Sequence, residues 1–511
     1  MRGPHNIWRL VRTGATLERT GAMKVVLDAY DAPPLLRMAA RIVGWPFQWL
    51  GAKGDTTMPP ATRALTALGP AYIKFGQVLS TRPDLVGDDL AVQLRVLQDR
   101  LPPFPIATAK ATIEEELDHP VDDLYSEFSE PVAAASIAQV HKARLRETGE
   151  AVAVKVLRPG IEKAFRRDID AFYLAASIIE FLSPASRRLR PSDVIAHFDG
   201  VVKGELDLRL EAASASTFAS NTEHDDGFGL PRIRWQQSSR RVMTMSWVEG
   251  TSMGDNDALD AAGHDRNRLG AQVLTLFLNH ALRDGFFHAD MHQGNLKVAP
   301  DGKIIAYDFG IMGHIDEYTR RVYAEILYGF IKRDYDRVAK VHFEAGYVPA
   351  HQDVDEFARA LRAVGEPIFG MDATKISMGR LLSYLFDVTE RFGMETRTEL
   401  ILLQRTMVVV EGVARSLSPQ INIWEIARPV VEEYIRRNLG PRALARDLGQ
   451  TAEVLARFGP RLPRLVERAL MYQMAQVDRP ATPPRRRIWP WLGLGIGLGA
   501  GGAALLGFLL S

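Results

Sequence analysis

His288-Ala-Asp290-Met-His292-Gln-Gly-Asn295 and, a short strand later, Asp308-Phe-Gly310 are the stretches whose reading decides the fold. In the first, an aspartate and an asparagine stand five residues apart. That is the spacing of a phosphoryl-transfer catalytic loop, in which the Asp accepts or orients a proton and the Asn ligates Mg²⁺. In the second, a carboxylate follows the strand-like run Ile304 to Tyr307, where it would bind the other face of the same metal site. A third piece lies upstream: Val152-Ala-Val-Lys155 ends a β-branched strand after a hairpin, and its ammonium can hold the α- and β-phosphates of a nucleotide. Taken singly, a lysine at a strand end is usually a surface residue and Asp-Phe-Gly is a plausible turn. The three in this order point to a site that uses ATP and Mg²⁺. His288 and His292 stand at i,i+4, but no Glu follows His288, so the two-His metalloprotease pattern is absent and both are read as hydrogen-bonding scaffold.

Around these pieces the pattern alternates between helix and strand. Ala61 to Gln98 has helical periodicity interrupted by Pro70 and Pro83, Leu101-Pro-Pro-Phe-Pro105 is a break, and Ile106 to Leu117 is helical again. Leu124 to Phe128, Ser136 to Leu145 and Ala151 to Leu157 have the length of strands, with a turn at Arg146-Glu-Thr-Gly149, and read as a small antiparallel sheet. Residues 161–220 are helical. Arg241 to Val248 is strand-like, and Met245, Ser246 and Val248 are its expected adenine-reading positions. From Asp265 onward the pattern is helical apart from short strands near Asn295 to Val298 and Lys303 to Tyr307. The expected fold class is α+β.

Composition narrows the chemistry. With 63 Lys+Arg against 62 Asp+Glu the net charge is +1, so nothing electrostatic draws the chain to nucleic acid. The absence of cysteine excludes a disulfide framework, thiolate metal sites and a cysteine nucleophile, leaving carboxylates, lysines and histidines. Met1 to Tyr30 has no apolar run followed by a cleavage site, so no secretory leader is expected. Ile488 to Leu510 carries no charge and follows Arg485-Arg-Arg487; at 1.5 Å per residue it makes about 35 Å of helix, enough for one span. The arginines predict a cytoplasmic position for the preceding domain. Gly493, Gly497 and Gly501 have the small-xxx-small spacing that permits a homodimer through the span.

Two departures set the chain apart from ordinary protein kinases. The phosphate-covering turn reads Val132-Ala133-Ala134-Ala135-Ser136, without the glycines that let a backbone approach phosphate closely, and no Ala-Pro-Glu follows Asp308. Together with Lys74-Phe-Gly76-Gln77 and Glu205-Leu-Asp207 with Glu211-Ala212, these pieces resemble the UbiB family of atypical kinases, also called AarF or ADCK, over roughly residues 60–420. The resemblance implies a protein-kinase-like bilobal fold with an N-terminal helical extension, here followed by the C-terminal transmembrane helix. It also implies ATP binding, slow ATPase activity at a membrane and support of ubiquinone or related isoprenoid-lipid synthesis.

By that likeness Lys155, Glu211 and Asp290 form the catalytic set. Ala133, Ala134, Ala135, Ser136 and Lys155 hold nucleotide, Asn295 and Asp308 hold Mg²⁺, and Lys74, Gly76, Gln77, Glu205 and Asp207 close the cleft. At 100° per residue on one helix, Asp207 and Glu211 share a face and Glu205 lies about 120° away, so both glutamates cannot serve Lys155. Glu211 is the expected partner of Lys155, and Glu205 that of Lys74. Met291 and Gln293 stand where the common family wording has prolines, which predicts a looser loop.

The expected organisation is a basic helical arm over 1–60, the helical extension over 61–120, the N-lobe over 121–250, the helical C-lobe over 251–478, a Pro/Arg linker over 479–487 and the membrane helix over 488–510. Expected partners are ATP and ADP, membrane lipid, isoprenoid quinone precursors and quinone-biosynthesis proteins, at a bacterial-type inner membrane, and no nucleic acid. An active protein or small-molecule kinase and a nucleotide-gated, non-catalytic lipid-binding scaffold are the alternatives. Removing residues 488–511 is expected to move the protein from the membrane to the soluble fraction. Full-length protein that is soluble without detergent would overturn the spanning reading.

Overall fold

The computed structural model describes residues 4–29, 45–80, 88–94, 102–182, 191–369, 391–394 and 398–438, with the single positions 38, 86, 97 and 388. The membrane helix expected over 488–510 and its linker lie outside these residues. Among the described residues no helix is long and apolar enough to cross a membrane.

Helices in chain order are α1 (Pro4–Thr20), α2 (Ala22–Ala29), α3 (Pro60–Leu68), α4 (Pro70–Ser80), α5 (Asp88–Leu94), α6 (Ile106–Leu117), α7 (Val121–Leu124), α8 (Ile161–Leu182), α9 (Pro191–Glu205) and α10 (Leu208–Asn221). They continue as α11 (Asn256–Ala261), α12 (Arg266–Asn279), α13 (Glu317–Lys332), α14 (Tyr335–Glu344), α15 (Val354–Phe369), α16 (Thr398–Leu417) and α17 (Ile423–Asn438). The strands are β1 (Tyr125–Ala134), β2 (Ala138–Leu145), β3 (Ala151–Leu157), β4 (Phe228–Gly229), β5 (Val242–Ser246), β6 (Thr251–Ser252), β7 (Phe286–His288), β8 (Leu296–Val298), β9 (Ile304–Ala306) and β10 (Met312–His314).

The described residues form two compact units, one over residues 4–211 and Ile233–Trp247, the other over Ala212–Arg232 and residues 248–438. The first is built on an antiparallel sheet in the order β1-β2-β3-β5. On β3, Val152, Val154 and Val156 point to one face and pack, fully buried, on Ala109 and Ile113 of α6. Each valine contributes about 1.5–3 kcal/mol by leaving water. Lys155 points to the other face. The helical part of this unit is joined by aromatic rings: Tyr72 and Phe75 of α4 pack on Phe172 of α8 at 4.9 and 5.0 Å, and Phe75 lies 5.1 Å from Phe198 of α9. The aspartate Asp168 of α8 receives Arg9 of α1.

In the second unit a four-stranded sheet, ordered β4-β9-β8-β6, and the antiparallel pair β7–β10 flank a helical core. α12 runs through that core and ends in a π turn over His280–Asp284. Gly285 then takes φ +67°, and a Cβ there would meet the Ile315 carbonyl oxygen at 2.5 Å, so the turn into β7 requires glycine. The π turn is held by Asp225, whose carboxylate accepts His280 Nε2 at 3.0 Å and Arg283 Nη1 at 2.6 Å. Burial works to raise the Asp225 pKa, but the bonds from His280 and Arg283 outweigh it and hold the carboxyl below its ordinary value of 3.8. A depressed folded-state pKa means stability that is complete above the ordinary value and is lost as pH falls through the folded one. Asp225→Ala is therefore expected to cost about 1–3 kcal/mol at neutral pH by stranding His280 and Arg283. The gap from the parent should close only below pH 3.8, as read by thermal denaturation across pH.

Candidate active site

Lys155 stands on β3 between Val140 of β2 and Met243 of β5. Its Nζ donates to both carboxylate oxygens of Glu211, at 2.7 and 2.9 Å, and the two side chains are 14% and 10% exposed. In the same unit Lys74 Nζ lies 2.8 Å from Glu205 Oε1, with exposures of 13% and 12%. Gly76, two residues after Lys74 on α4 and next to Gln77, is closed in by leucines: a Cβ would meet Leu97 and Leu65 methyls at 2.4 and 2.5 Å. Gln77 Nε2 reaches the Leu97 carbonyl at 3.5 Å.

The acidic residues are not arranged on one helix, and the single-helix angles between Glu205, Asp207 and Glu211 do not apply. α9 ends at Glu205 and α10 begins at Leu208. The Leu208 N–H leaves the helical ladder to bond the Arg240 carbonyl at 2.9 Å. Asp207 acts at the start of α10, where Oδ1 accepts the Arg209 N–H at 3.2 Å and the carboxylate receives the Arg209 guanidinium at 2.9 and 2.6 Å. Those bonds lower the Asp207 pKa. The break separates the two glutamates, and each meets its own lysine.

The alanine stretch is more strand than loop. Ala133 and Ala134 belong to β1 and pair with Val140 and Gln139, leaving a tight turn in which the Ala135 N–H bonds the Ala138 carbonyl at 2.8 Å. Ser136 is buried beside it. On β5, Met245 is buried and pairs with Ala153, while Ser246 pairs with Val152. The Val248 carbonyl accepts Lys297 Nζ at 3.0 Å, so one of the expected adenine-reading groups is engaged by a lysine that spacing does not single out.

The His288–Asn295 stretch leaves β7 as a nest of short-range bonds. His288 Nδ1 accepts the Asp290 N–H at 3.1 Å, and His292 Nδ1 accepts the Gly294 N–H at 2.9 Å. Each histidine thus accepts a backbone N–H on Nδ1. Burial pushes the His288 pKa down, while the carboxylates of Asp308 and Asp290 oppose that shift. Asn295 Nδ2 donates to the Asp290 carbonyl at 3.0 Å. The β8–β9 register places Leu296 opposite Ala306, and the Tyr307 N–H bonds the Asn295 carbonyl at 3.3 Å, so Asn295 and Asp308 flank the same end of one hairpin. Asp308 Oδ1 accepts the Gly310 N–H at 3.0 Å, and Phe309 is buried.

Those two residues offer an amide oxygen and a carboxylate. Such hard oxygen donors suit a small divalent cation whose remaining positions go to phosphate and water. Among the described residues no group of three or more His, Cys, Asp or Glu side chains is placed to hold a metal ion.

The positions where prolines were expected are tied down by side chains. Met291 is buried, and Gln293 Nε2 donates to Ser416 Oγ on α16. From the same helix the buried Thr406 hydroxyl donates to the Ala289 carbonyl at 3.1 Å, and the Tyr307 hydroxyl donates to the Gly294 carbonyl. Thr406, Ser416 and Tyr307 carry no motif, and only tertiary contact reveals them.

Two family models match the chain: an ABC1 atypical kinase-like domain over residues 96–342 and a UbiB helical domain over residues 361–422. The chain is 42% identical over 413 residues to a probable protein kinase UbiB of Marinobacter nauticus, covering 80% of this chain and 75% of that protein. Among solved structures, the complex of Rv3197 with erythromycin from Mycobacterium tuberculosis is similar with a TM-score of 0.48 and 23% identity, over 70% of this chain and 90% of that one.

The Lys74–Glu205 pair makes a stability prediction. Lys74→Ala removes the cation from a largely buried carboxylate and is expected to cost up to about 3–5 kcal/mol, whereas Lys74→Met with Glu205→Leu removes both charges and should recover most of it. Guanidinium denaturation followed by circular dichroism measures both, and a single variant as stable as the parent contradicts the pairing.

Proposed function

The chain belongs to the UbiB family, with its ABC1 atypical kinase-like and helical domains, and from that membership we propose that it is an ATP- and Mg²⁺-dependent enzyme that supports isoprenoid quinone synthesis at a membrane. The observation that carries the reading is the bidentate hold of Glu211 on Lys155. A largely buried ammonium aimed by a carboxylate is the device that presents positive charge to the α- and β-phosphates of a nucleotide. Asn295 and Asp308 would hold Mg²⁺, which when bound offsets the charge on the phosphate oxygens. Asp290 holds the attacking oxygen and takes its proton as the new oxygen–phosphorus bond forms; the bond from the γ-phosphorus to the bridging oxygen breaks, and ADP leaves.

Water is the proposed acceptor, with the energy of hydrolysis used in handling hydrophobic precursors or partner proteins. The alanines at 133–135 support this reading, because they lack the freedom with which a glycine loop closes on phosphate. A second reading, transfer to protein, is favoured by the description of the Marinobacter relative as a probable protein kinase.

Asp308→Asn is expected to abolish most of the Mg²⁺-dependent thermal stabilisation by ATP while leaving the melting temperature of the nucleotide-free protein within a few degrees of the parent. An unchanged Mg²⁺-dependent shift removes Asp308 from the site.

A further inference from the structure

Arg158 follows β3 and belongs to none of the motifs above. Its backbone N–H bonds the Ile137 carbonyl at 2.8 Å, fixing it beside the alanine turn. Its guanidinium then grips that turn: Nε and Nη2 both donate to the Ala135 carbonyl, at 3.0 and 2.9 Å. Nη2 also donates to the Pro102 carbonyl at 2.9 Å, and the guanidinium lies 5.6 Å from the centre of the Phe104 ring. A second residue makes the same connection. Gln139, buried on β2 opposite Ala134, accepts the Phe104 N–H at 2.9 Å and donates to the Phe104 carbonyl at 3.3 Å. Gln139 is in turn oriented by the buried His141, which accepts from Gln139 Nε2 at 2.9 Å and donates Nδ1–H to the Ser129 carbonyl at 2.8 Å. Burial pushes the His141 pKa down, in keeping with a neutral ring that accepts on one nitrogen and donates on the other.

The alanine turn has no side-chain polar group of its own until Ser136. The β1–β2 ladder and the Ala135–Ala138 bond shape the turn, and what ties it to the Pro102–Pro105 segment is an arginine fork that spans two carbonyls of different segments, with Gln139 beside it. We propose that Arg158 is a positioning residue for nucleotide binding: it clamps the Ala133–Ser136 turn to the Pro102–Pro105 segment, and the hold on ATP weakens when the clamp opens. The proposal rests on the nucleotide role given above to that turn. The fork cannot be replaced by a point charge, because an ammonium lacks the planar geometry that reaches both carbonyls and the ring at once.

The test uses the full chain and Arg158→Lys, which keeps the charge and loses the fork. Hydrogen exchange without nucleotide reads the clamp, through the amides of Phe104 and Ala135, and steady-state ATP hydrolysis reads its consequence. The expected result is faster exchange at both amides and a KM for ATP raised about tenfold with a much smaller change in kcat, the size of effect that losing one or two charge-assisted hydrogen bonds produces. Unchanged exchange overturns the clamp. Faster exchange with an unchanged KM overturns its role in binding, because a merely structural arginine would loosen the turn without touching the nucleotide. If Arg158→Lys fails to fold, Phe104→Leu, which removes only the ring beneath the guanidinium, is judged by the same two outcomes. A parent protein that binds and hydrolyses no ATP overturns the enzyme reading itself, and is distinguished by being seen before any variant is made.

Discussion

The ion pair between Lys155 and Glu211 is the constraint around which the sheet unit is organised. An ammonium on a central strand is costly to bury unless a carboxylate meets it with good geometry. Meeting it requires two things of the chain. β3 must lie between β2 and β5 in the register that presents Lys155 away from the valine face, and a helix must begin so that Glu211 falls in its first turn. The break at Leu206–Asp207 supplies the second condition. It also leaves Glu205 at the end of a different helix, where it neutralises Lys74. Two largely buried lysine–glutamate pairs thus follow from one interruption in an otherwise continuous helical pattern.

In the other unit the order of the His288–Asn295 stretch has a different origin. Proline rings would restrict the chain directly; here Met291 is restrained by burial, Gln293 by a hydroxyl on α16, and the carbonyl of Ala289 by Thr406 from the same helix. The consequence is that α16 is part of what shapes the loop. Substitutions on its Thr406 and Ser416 side act on Asp290 and Asn295 through backbone position, without contact with any reacting group.

The strands of the first sheet are legible because short strand-length runs are set off by a clear turn, and in Ala151 to Leu157 the burial of Val152, Val154 and Val156 is what the alternation encodes. β1 was read as ending too early, since Pro131 and the alanines resemble a loop although the strand continues past them through bulges. The helix break was invisible for a related reason. Periodicity on both sides of Asp207 is helical, and the bond that sets Leu208 apart from α9 goes to the Arg240 carbonyl, far away in sequence. Spacing names Lys155, Asp290, Asn295 and Asp308 as candidates, because phosphoryl transfer demands those groups at those intervals. It cannot name Arg158, Gln139 or Thr406, whose roles rest on contacts with backbone carbonyls or amides of other segments.

The fate of the γ-phosphate tests the central claim most directly. The full-length protein is incubated with γ-labelled ATP and Mg²⁺, in the presence of vesicles carrying an isoprenoid quinone precursor and of unrelated Ser/Thr-containing proteins, with Asp290→Asn alongside. The account predicts that the label appears as inorganic phosphate, depends on Mg²⁺ and is lost in Asp290→Asn while ATP binding persists. Efficient transfer of the label to the added proteins, or release undiminished in Asp290→Asn, would contradict it.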